Sequence, residues 1–373
     1  MKKVKLKYSK LIIVSLRAIL YLCNMMIQNP EKALSQLYFE HFGVSPFRIS
    51  KLKGDGSDRK IFRLFSDNLK SIIGICGATR AENDAFVSFS RAFYEQDFPV
   101  AEILIYDADK GIYLETDFGD TTLYSRQREL GDLLENDKSV RNVYKRVIRW
   151  LIKFQITGRD CLDFSKCYQY PSFGKEAMQY DLDYFVSSFL SRFVKIKYDQ
   201  NKLQQDFDRL IHHLLEADAD YFLYRDFQSK NIMLQDGAPF FIDYQSGRKG
   251  ALQYDLASLL FDANLRVPNT LRESMLYYYL ETIDSYIALN ETDFVSYFYD
   301  FALIRMLQAL AAFSFLAHQK NKSYFLQNIP NALDNIQTLF DKPCILSELN
   351  ELRRLFETDF LVNPLLEMLR EEH

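Results

Sequence analysis

Between Asn231 and Asp243 the chain has little conformational freedom. Ile232-Met233-Leu234 and Phe240-Phe241-Ile242 are short apolar runs flanking Gln235-Asp236-Gly237-Ala238-Pro239, and an Asp-Gly pair between such runs signals a tight hairpin. A hairpin brings the residue entering its first strand beside the residue leaving its second, here Asn231 and Asp243. Both offer side-chain oxygens of the kind a hard divalent cation takes. Asp226 precedes Asn231 by five places and Asp243 follows it by twelve, so a short stretch gathers three oxygen-bearing side chains at one end of the hairpin. An Asp/Asn-rich surface turn would match the first spacing by accident, and the well-placed Asp243 argues against that reading.

An Arg-Asp, an Asn five residues on and a second Asp closing the next strand are the parts that phosphoryl transfer needs. Further residues make the pattern specific. Asn231-Ile232-Met233-Leu234, Phe241-Ile242-Asp243 and Tyr254-Asp255-Leu256-Ala257-Ser258-Leu259-Leu260 resemble the aminoglycoside phosphotransferase and choline kinase superfamily, whose members phosphorylate small-molecule hydroxyls. Within it, Arg225-Asp226-Phe227 and the segment from Gln253 to Leu260 are most similar to bacterial kinases acting on the anomeric hydroxyl of N-acetylmuramate and N-acetylglucosamine in cell-wall recycling. The similarity runs in order over about residues 30 to 330, with motifs dense only in the carboxyl half.

The resemblance implies an α+β, two-lobed protein-kinase-like fold: a small N-terminal lobe built on an antiparallel sheet and a larger, mainly helical C-terminal lobe. It implies residues 1–26 as an extension, 27–117 as the nucleotide-binding lobe and 118–373 as the catalytic and substrate-binding lobe. It implies Asp226 as catalytic base, Asn231 and Asp243 as ligands of Mg2+, and ATP as phosphoryl donor. Asp255 becomes a buried acceptor tying the catalytic loop to the helix that starts near it, with Arg225 as its partner. Macrodipole stabilisation at a helix N-terminus would place an acid there too. Gln228 and Arg248 are substrate-binding candidates, and Arg248 with Lys249 would meet a sugar-borne carboxylate or a phosphate unless they form a solvated basic turn. Tyr224 stands where the family usually has His, at a position that supports the loop from within.

The amino-terminal half is less explicit. Leu52 to Leu64 reads as strand, polar turn, strand, where a kinase keeps its phosphate-covering loop, and Gly56, Ser57, Asp58 and Arg59 are the candidate ATP contacts. With only two of three glycines, an ordinary hairpin turn fits as well. The expected third strand, Ser71 to Gly77, has no lysine in its interior, so Arg59, Lys60, Arg63 or Arg80 must neutralise the phosphates, or magnesium must carry more of that charge. Glu82 stands where such a lysine would find its glutamate. Without that partner its expected role is helix capping. Val100–Tyr106 and Gly111–Glu115 read as a strand pair leading to a hinge at Thr116–Asp120, where main-chain groups near Glu115 and Asp117 would recognise adenine.

From Asn142 the pattern is helical. Val143, Val147, Trp150, Leu151 and Phe154 repeat at helical spacing, as do Met178, Leu182, Phe185 and Phe189, and such stripes are core. Helices near 270–288 and 294–317 complete the lobe, the second bringing Arg305, Gln308 and His318 as acceptor-site candidates. A chain of 373 residues is long for one core and suits two lobes. With 46 basic and 50 acidic residues the formal charge is -4, which supplies no field to draw nucleic acid. Five cysteines in an unpaired pattern read as a reduced, cytoplasmic chain. Zinc at Cys161, Cys167, His212 and His213 is disfavoured because the histidines are adjacent. Lysines followed by Leu11–Cys23 copy a signal peptide superficially. Arg17, the short run and the lack of a small-residue cleavage site argue against one; with Met25 and Met26 standing just before the first family-like helix, a start codon assigned too early is favoured over an interfacial helix or a true targeting segment, and no stable membrane insertion is expected. The acceptor is expected to be a small molecule, an amino sugar by the resemblance. Aminoglycoside, choline and homoserine-type kinases are the competing enzymes. A nucleotide-binding regulatory module is the competing class, disfavoured because a binding module has no need of a base.

Overall fold

The computed structural model describes residues 29–369 apart from 55, 57, 68, 132–136, 358–364 and 366–368. The chain divides into two compact units between Phe118 and Gly119. It is α+β, as the resemblance implied.

The first unit is a five-stranded antiparallel sheet in the order β1-β2-β3-β5-β4, formed by Arg48–Leu52, Lys60–Ser66, Leu69–Cys76, Ile103–Asp107 and Ile112–Thr116 (β1 to β5 in chain order). Helix α1, Pro30–Phe42, starts at Asn29, whose side chain accepts from the Lys32 amide, and ends at Gly43 with φ 71. Its Ala33, Leu34, Leu37 and Tyr38 pack with Phe62 and Leu64 of β2 and Ile112 and Leu114 of β5. Gly74 permits that approach, because a Cβ there would lie 2.7 Å from Leu64 Cδ1 and 3.1 Å from the Leu34 methyls. Successive strand residues face opposite ways, so Tyr113 leaves the other face and meets Phe86 of α2, Arg80–Tyr94, at a ring distance of 5.5 Å.

The second unit is mainly helical: α3 Leu123–Leu130, α4 Lys138–Cys161, α5 Lys175–Tyr184, α6 Gln200–Leu214, α7 Leu252–Leu260, α8 Asn269–Ile283, α9 Glu291–His318, α10 Ile329–Leu339 and α11 Asn350–Leu355. Two small antiparallel ladders are set among them, β6 Tyr221–Leu223 with β9 Arg248–Gly250, and β7 Ile232–Gln235 with β8 Ala238–Phe241. Gly247 lets the chain draw close to β6, since a Cβ there would stand 2.5 Å from the Phe222 ring. The aromatic stripe expected to continue α5 instead forms a π-helix, Phe185–Val194, in which Phe185 stacks on Phe189 at 5.5 Å and Phe189 meets Phe193 tilted at 6.0 Å. Helix α9 is the one described helix long and apolar enough to cross a membrane, and 67% of its most apolar window is buried inside the protein.

Candidate active site

The catalytic-loop region is built by the hairpin. Gln235 pairs with Ala238, so Asp236 and Gly237 form a two-residue turn, with φ of 49 and 73 as a type I′ turn requires. At the open end the Ile242 amide donates to the Asn231 carbonyl at 3.1 Å. Asn231 Nδ2 donates to the Asp226 carbonyl at 2.9 Å and lies 3.5 Å from Asp243 Oδ2, and Gln245 Nε2 donates to Asp243 Oδ1 at 2.9 Å. The three residues singled out in the sequence therefore sit in one hydrogen-bonded cluster. Asn231 commits its amide nitrogen to the loop, which keeps its amide oxygen as an acceptor. An amide oxygen and a carboxylate side by side suit a hard cation completed by phosphate oxygens and water. Among the described residues no set of three or more His, Cys, Asp or Glu side chains is grouped to hold a metal unaided.

The loop ahead of the hairpin is held from beneath. Asp255, fully buried in α7, accepts from the Tyr224 amide at 2.6 Å and the Arg225 amide at 2.9 Å. Burial pushes its carboxyl up to about 7, against the opposing pull of those two amides. Arg225 is thus the partner of Asp255 through its main chain. Its guanidinium goes elsewhere, donating to Asp181 of α5 at 2.6 Å and to the Tyr254 hydroxyl. Burial works against the Arg225 charge, yet Asp181 and Tyr254 hold it above the ordinary arginine value. Arg225 and Asp243 both adopt left-handed backbone, φ 82 and 70, a strained choice for residues with a Cβ that persists where neighbours over-determine the conformation. The Tyr224 hydroxyl donates to the Ile242 carbonyl at 2.6 Å, stitching the loop to the end of the hairpin.

Asp226 is partly buried, and desolvation raises its carboxyl above the usual range while Arg305 and Arg225 pull it back. Gln228 lies beside it, its Oε1 accepting from Asn264 Nδ2 at 2.9 Å. Asn264 is fixed in turn by Asp262, which also accepts from the Ser229 amide at 2.8 Å and the Ser229 hydroxyl at 2.5 Å. Arg248 is buried, donating to the Ser246 carbonyl and to Gln169 Oε1. Lys249 points to a separate surface pair with Asp220 at 2.5 Å, so the two basic neighbours do not act together. Arg305 and Gln308 of α9 bond to each other, whereas His318 packs on Phe193 at 5.0 Å. Asp181, Asp262 and Asn264 escaped the reading of the sequence, because each reaches the loop across the fold, and Tyr254 was quoted in a motif without its contact to Arg225.

In the first unit Gly56, Asp58 and Arg59 lie in the turn between β1 and β2, and Ser57 lies outside the described residues. Arg59 Nε stands 3.7 Å from Glu82 Oε1, with both side chains largely buried. Glu82 therefore has a cationic partner, correcting the expectation that it serves only as a cap. Arg63 is held by Asp117 at 2.6 Å and Arg80 by Asp109 at 3.1 Å. Asp117 also accepts from the Ser71 hydroxyl at 2.6 Å, which pins the end of β5 to β2 and β3. Glu115 is buried in β5, opposite Ile73. The zinc candidates are dispersed: the Cys167 thiol, pushed up to about 11 by burial, donates to the Gly247 carbonyl, His212 faces Glu216 and His213 faces Asp300.

A fold and a site of this kind define a phosphotransferase. A profile of the phosphotransferase enzyme family (APH) matches residues 52–289, and the chain belongs to that family. It is 23% identical over 299 residues to the N-acetylmuramate/N-acetylglucosamine kinase of Neisseria meningitidis serogroup B, covering 78% of this chain and 85% of that one. With the kinase of the same name from Pseudomonas aeruginosa it is 22% identical over 318 residues, covering 83% and 88%. Among solved structures, a choline/ethanolamine kinase family protein from Mesorhizobium loti superposes with a TM-score of 0.57 at 12% identity over 89% of this chain and 99% of that one. Amicoumacin kinase hAmiN, in complex with AMP-PNP, Ca2+ and Ami, gives 0.56 at 10% identity, covering 83% and 95%. The likeness to these structures is one of fold, and the fold is that of kinases.

Proposed function

We propose that the chain is an ATP- and magnesium-dependent kinase that phosphorylates the anomeric hydroxyl of an amino sugar of the N-acetylmuramate/N-acetylglucosamine class. The observation that carries this reading is the cluster of Asp226, Asn231 and Asp243 at the mouth of one hairpin. The names of two curated relatives, each aligned over more than three quarters of this chain, support the substrate class.

Asp226 is the base. Its carboxylate takes the proton of the sugar hydroxyl as the oxygen attacks the terminal phosphorus in line, the new O–P bond forming as the bond to the leaving diphosphate breaks. A carboxyl raised by burial is a better proton acceptor than an exposed one. Asn231 and Asp243 would hold magnesium, which when bound would neutralise charge on the phosphates. Gln228, braced by Asn264, orients the acceptor. In the first unit the main chain around Gly56 and Asp58, with Arg59, binds the nucleotide phosphates, and main-chain groups at Glu115 to Asp117 receive the base. Arg59, paired with Glu82, takes the duty of the absent strand lysine, since Arg63 and Arg80 are committed to Asp117 and Asp109. Cys76, Cys161, Cys167 and Cys344 are all free thiols, which fits work in the cytoplasm.

The test is ATP consumption by the purified protein against amino sugars, aminoglycosides and choline. We expect turnover with N-acetylated amino sugars; turnover confined to the cationic acceptors would refute the reading.

A further inference from the structure

Two buried arginines whose charges reach Asp226 make no ion pair of their own among the described residues. Arg248 is 3% exposed and Arg305 7%. Arg248 Nε donates to the Ser246 carbonyl at 2.9 Å and Nη2 to Gln169 Oε1 at 3.1 Å. Arg305 Nε donates to Ser258 Oγ at 3.0 Å and Nη1 to Gln308 Oε1. All four acceptors are neutral. Among the described residues neither guanidinium has a carboxylate within ion-pair distance, although Arg225 has Asp181 at 2.6 Å. Arg248 Nη1 and Arg305 Nη2 make no hydrogen bond among the described residues.

The placement is orderly. Tyr254 and Ser258 are four residues apart on α7 and so share one face, the first meeting Arg225 and the second Arg305. The charges of Arg305 and Arg248 both act on Asp226. A buried guanidinium whose charge is only partly offset is costly, and a packed apolar side chain of similar volume would serve stability better. Asp226 sets one negative charge against the two, and Asp181 is paired with Arg225, so the surplus of positive charge makes sense if a second anion arrives there in the working complex.

We propose that Arg248 and Arg305 bind a carboxylate carried by the acceptor, close to the hydroxyl that Asp226 deprotonates, so that acidic amino sugars are preferred to neutral ones. This rests on the proposed function and narrows its substrate class. Planar guanidinium forks match a carboxylate well, and neutral second partners hold them in place without satisfying the charge. The same forks would also suit a nucleotide phosphate, so the experiment separates the two anions.

Wild-type enzyme is assayed with N-acetylmuramate, with its carboxyl methyl ester and with N-acetylglucosamine, and KM for ATP is measured alongside. We expect kcat/KM for the acid to exceed that for the ester at least tenfold, chiefly through KM. Arg305→Gln and Arg248→Gln should each bring the acid-to-ester ratio towards one, and Arg305→Lys should retain part of the preference. Equal use of acid and ester by the wild type overturns the inference, whatever the variants do. A raised KM for ATP in Arg305→Gln, with acid and ester losing rate in equal proportion, gives the arginines to the nucleotide and also overturns it. Turnover of cationic acceptors alone removes this inference together with the proposed function, whereas loss of the ratio alone leaves that function standing.

Discussion

Asp226 holds a negative charge in surroundings that resist it. Burial raises its carboxyl above the ordinary value, and only the nearby arginines moderate the shift. An acid whose folded-state pKa lies above its unfolded value binds more protons folded than unfolded between the two, so stability falls as pH rises through that window. We expect Asp226→Asn to melt at a higher temperature than wild type at neutral pH, with the difference vanishing near about pH 3, below both values. The same substitution should cut turnover by about 100- to 10,000-fold, the range for removing a positioned base. The acid limb of kcat/KM in the wild type should sit above the normal carboxylate range, and Arg305→Gln, which removes a moderating charge, should move it higher. Arg59 is the second residue whose role follows from its company. Arg59→Ala should raise KM for ATP by about tenfold, the scale of one lost charge-assisted contact at about 1.5 kcal/mol, and an unaltered KM would return the missing-lysine question to the other basic residues.

At the scale of elements, the hairpin and the catalytic loop differ in how far they could be read in advance. The hairpin was legible because its determinants are local: an Asp-Gly turn and two apolar runs bring Asn231 and Asp243 together whatever surrounds them. The loop depends on distant groups. Asp255 was recognised as an acceptor with Arg225 as its partner, but that the partnership runs through main-chain amides, with the guanidinium committed to Asp181 and Tyr254, was not legible. Asp262 and Asn264, which brace Ser229 and Gln228, gave no signal because tertiary packing alone gives them that work. The π-helix at Phe185–Val194 was also hidden, since four-residue aromatic spacing does not distinguish it from an α-helix. Asp255→Ala would leave two buried amides unpaired and should cost about 2–5 kcal/mol in denaturant unfolding. Asp255→Asn retains only one good acceptor and should fall between that variant and the wild type. Equal stability of all three would deny the bracing role.

Across the whole molecule, the order of motifs made the kinase-like fold legible, whereas Arg59 with Glu82 became visible only when the first unit was seen folded. Each unit has its own core; the candidate ATP-contacting residues fall in the first and the candidate metal ligands in the second. MgATP binding should therefore weaken on substitution in either one, by calorimetry about tenfold or more for both Arg59→Ala and Asp243→Ala. Undiminished MgATP affinity in Asp243→Ala would remove the metal role. The central claim is that Asp226 takes the proton of a sugar hydroxyl while Asn231 and Asp243 hold the ion beside it. The most direct test is the rate of phosphate transfer from ATP to an N-acetylated amino sugar by purified wild type and Asp226→Asn, with MgATP affinity measured in the same preparations. The account predicts a sugar 1-phosphate from the wild type and a variant that binds MgATP normally yet turns over at least about 100-fold more slowly. A folded Asp226→Asn enzyme that transfers phosphate at the wild-type rate would contradict it.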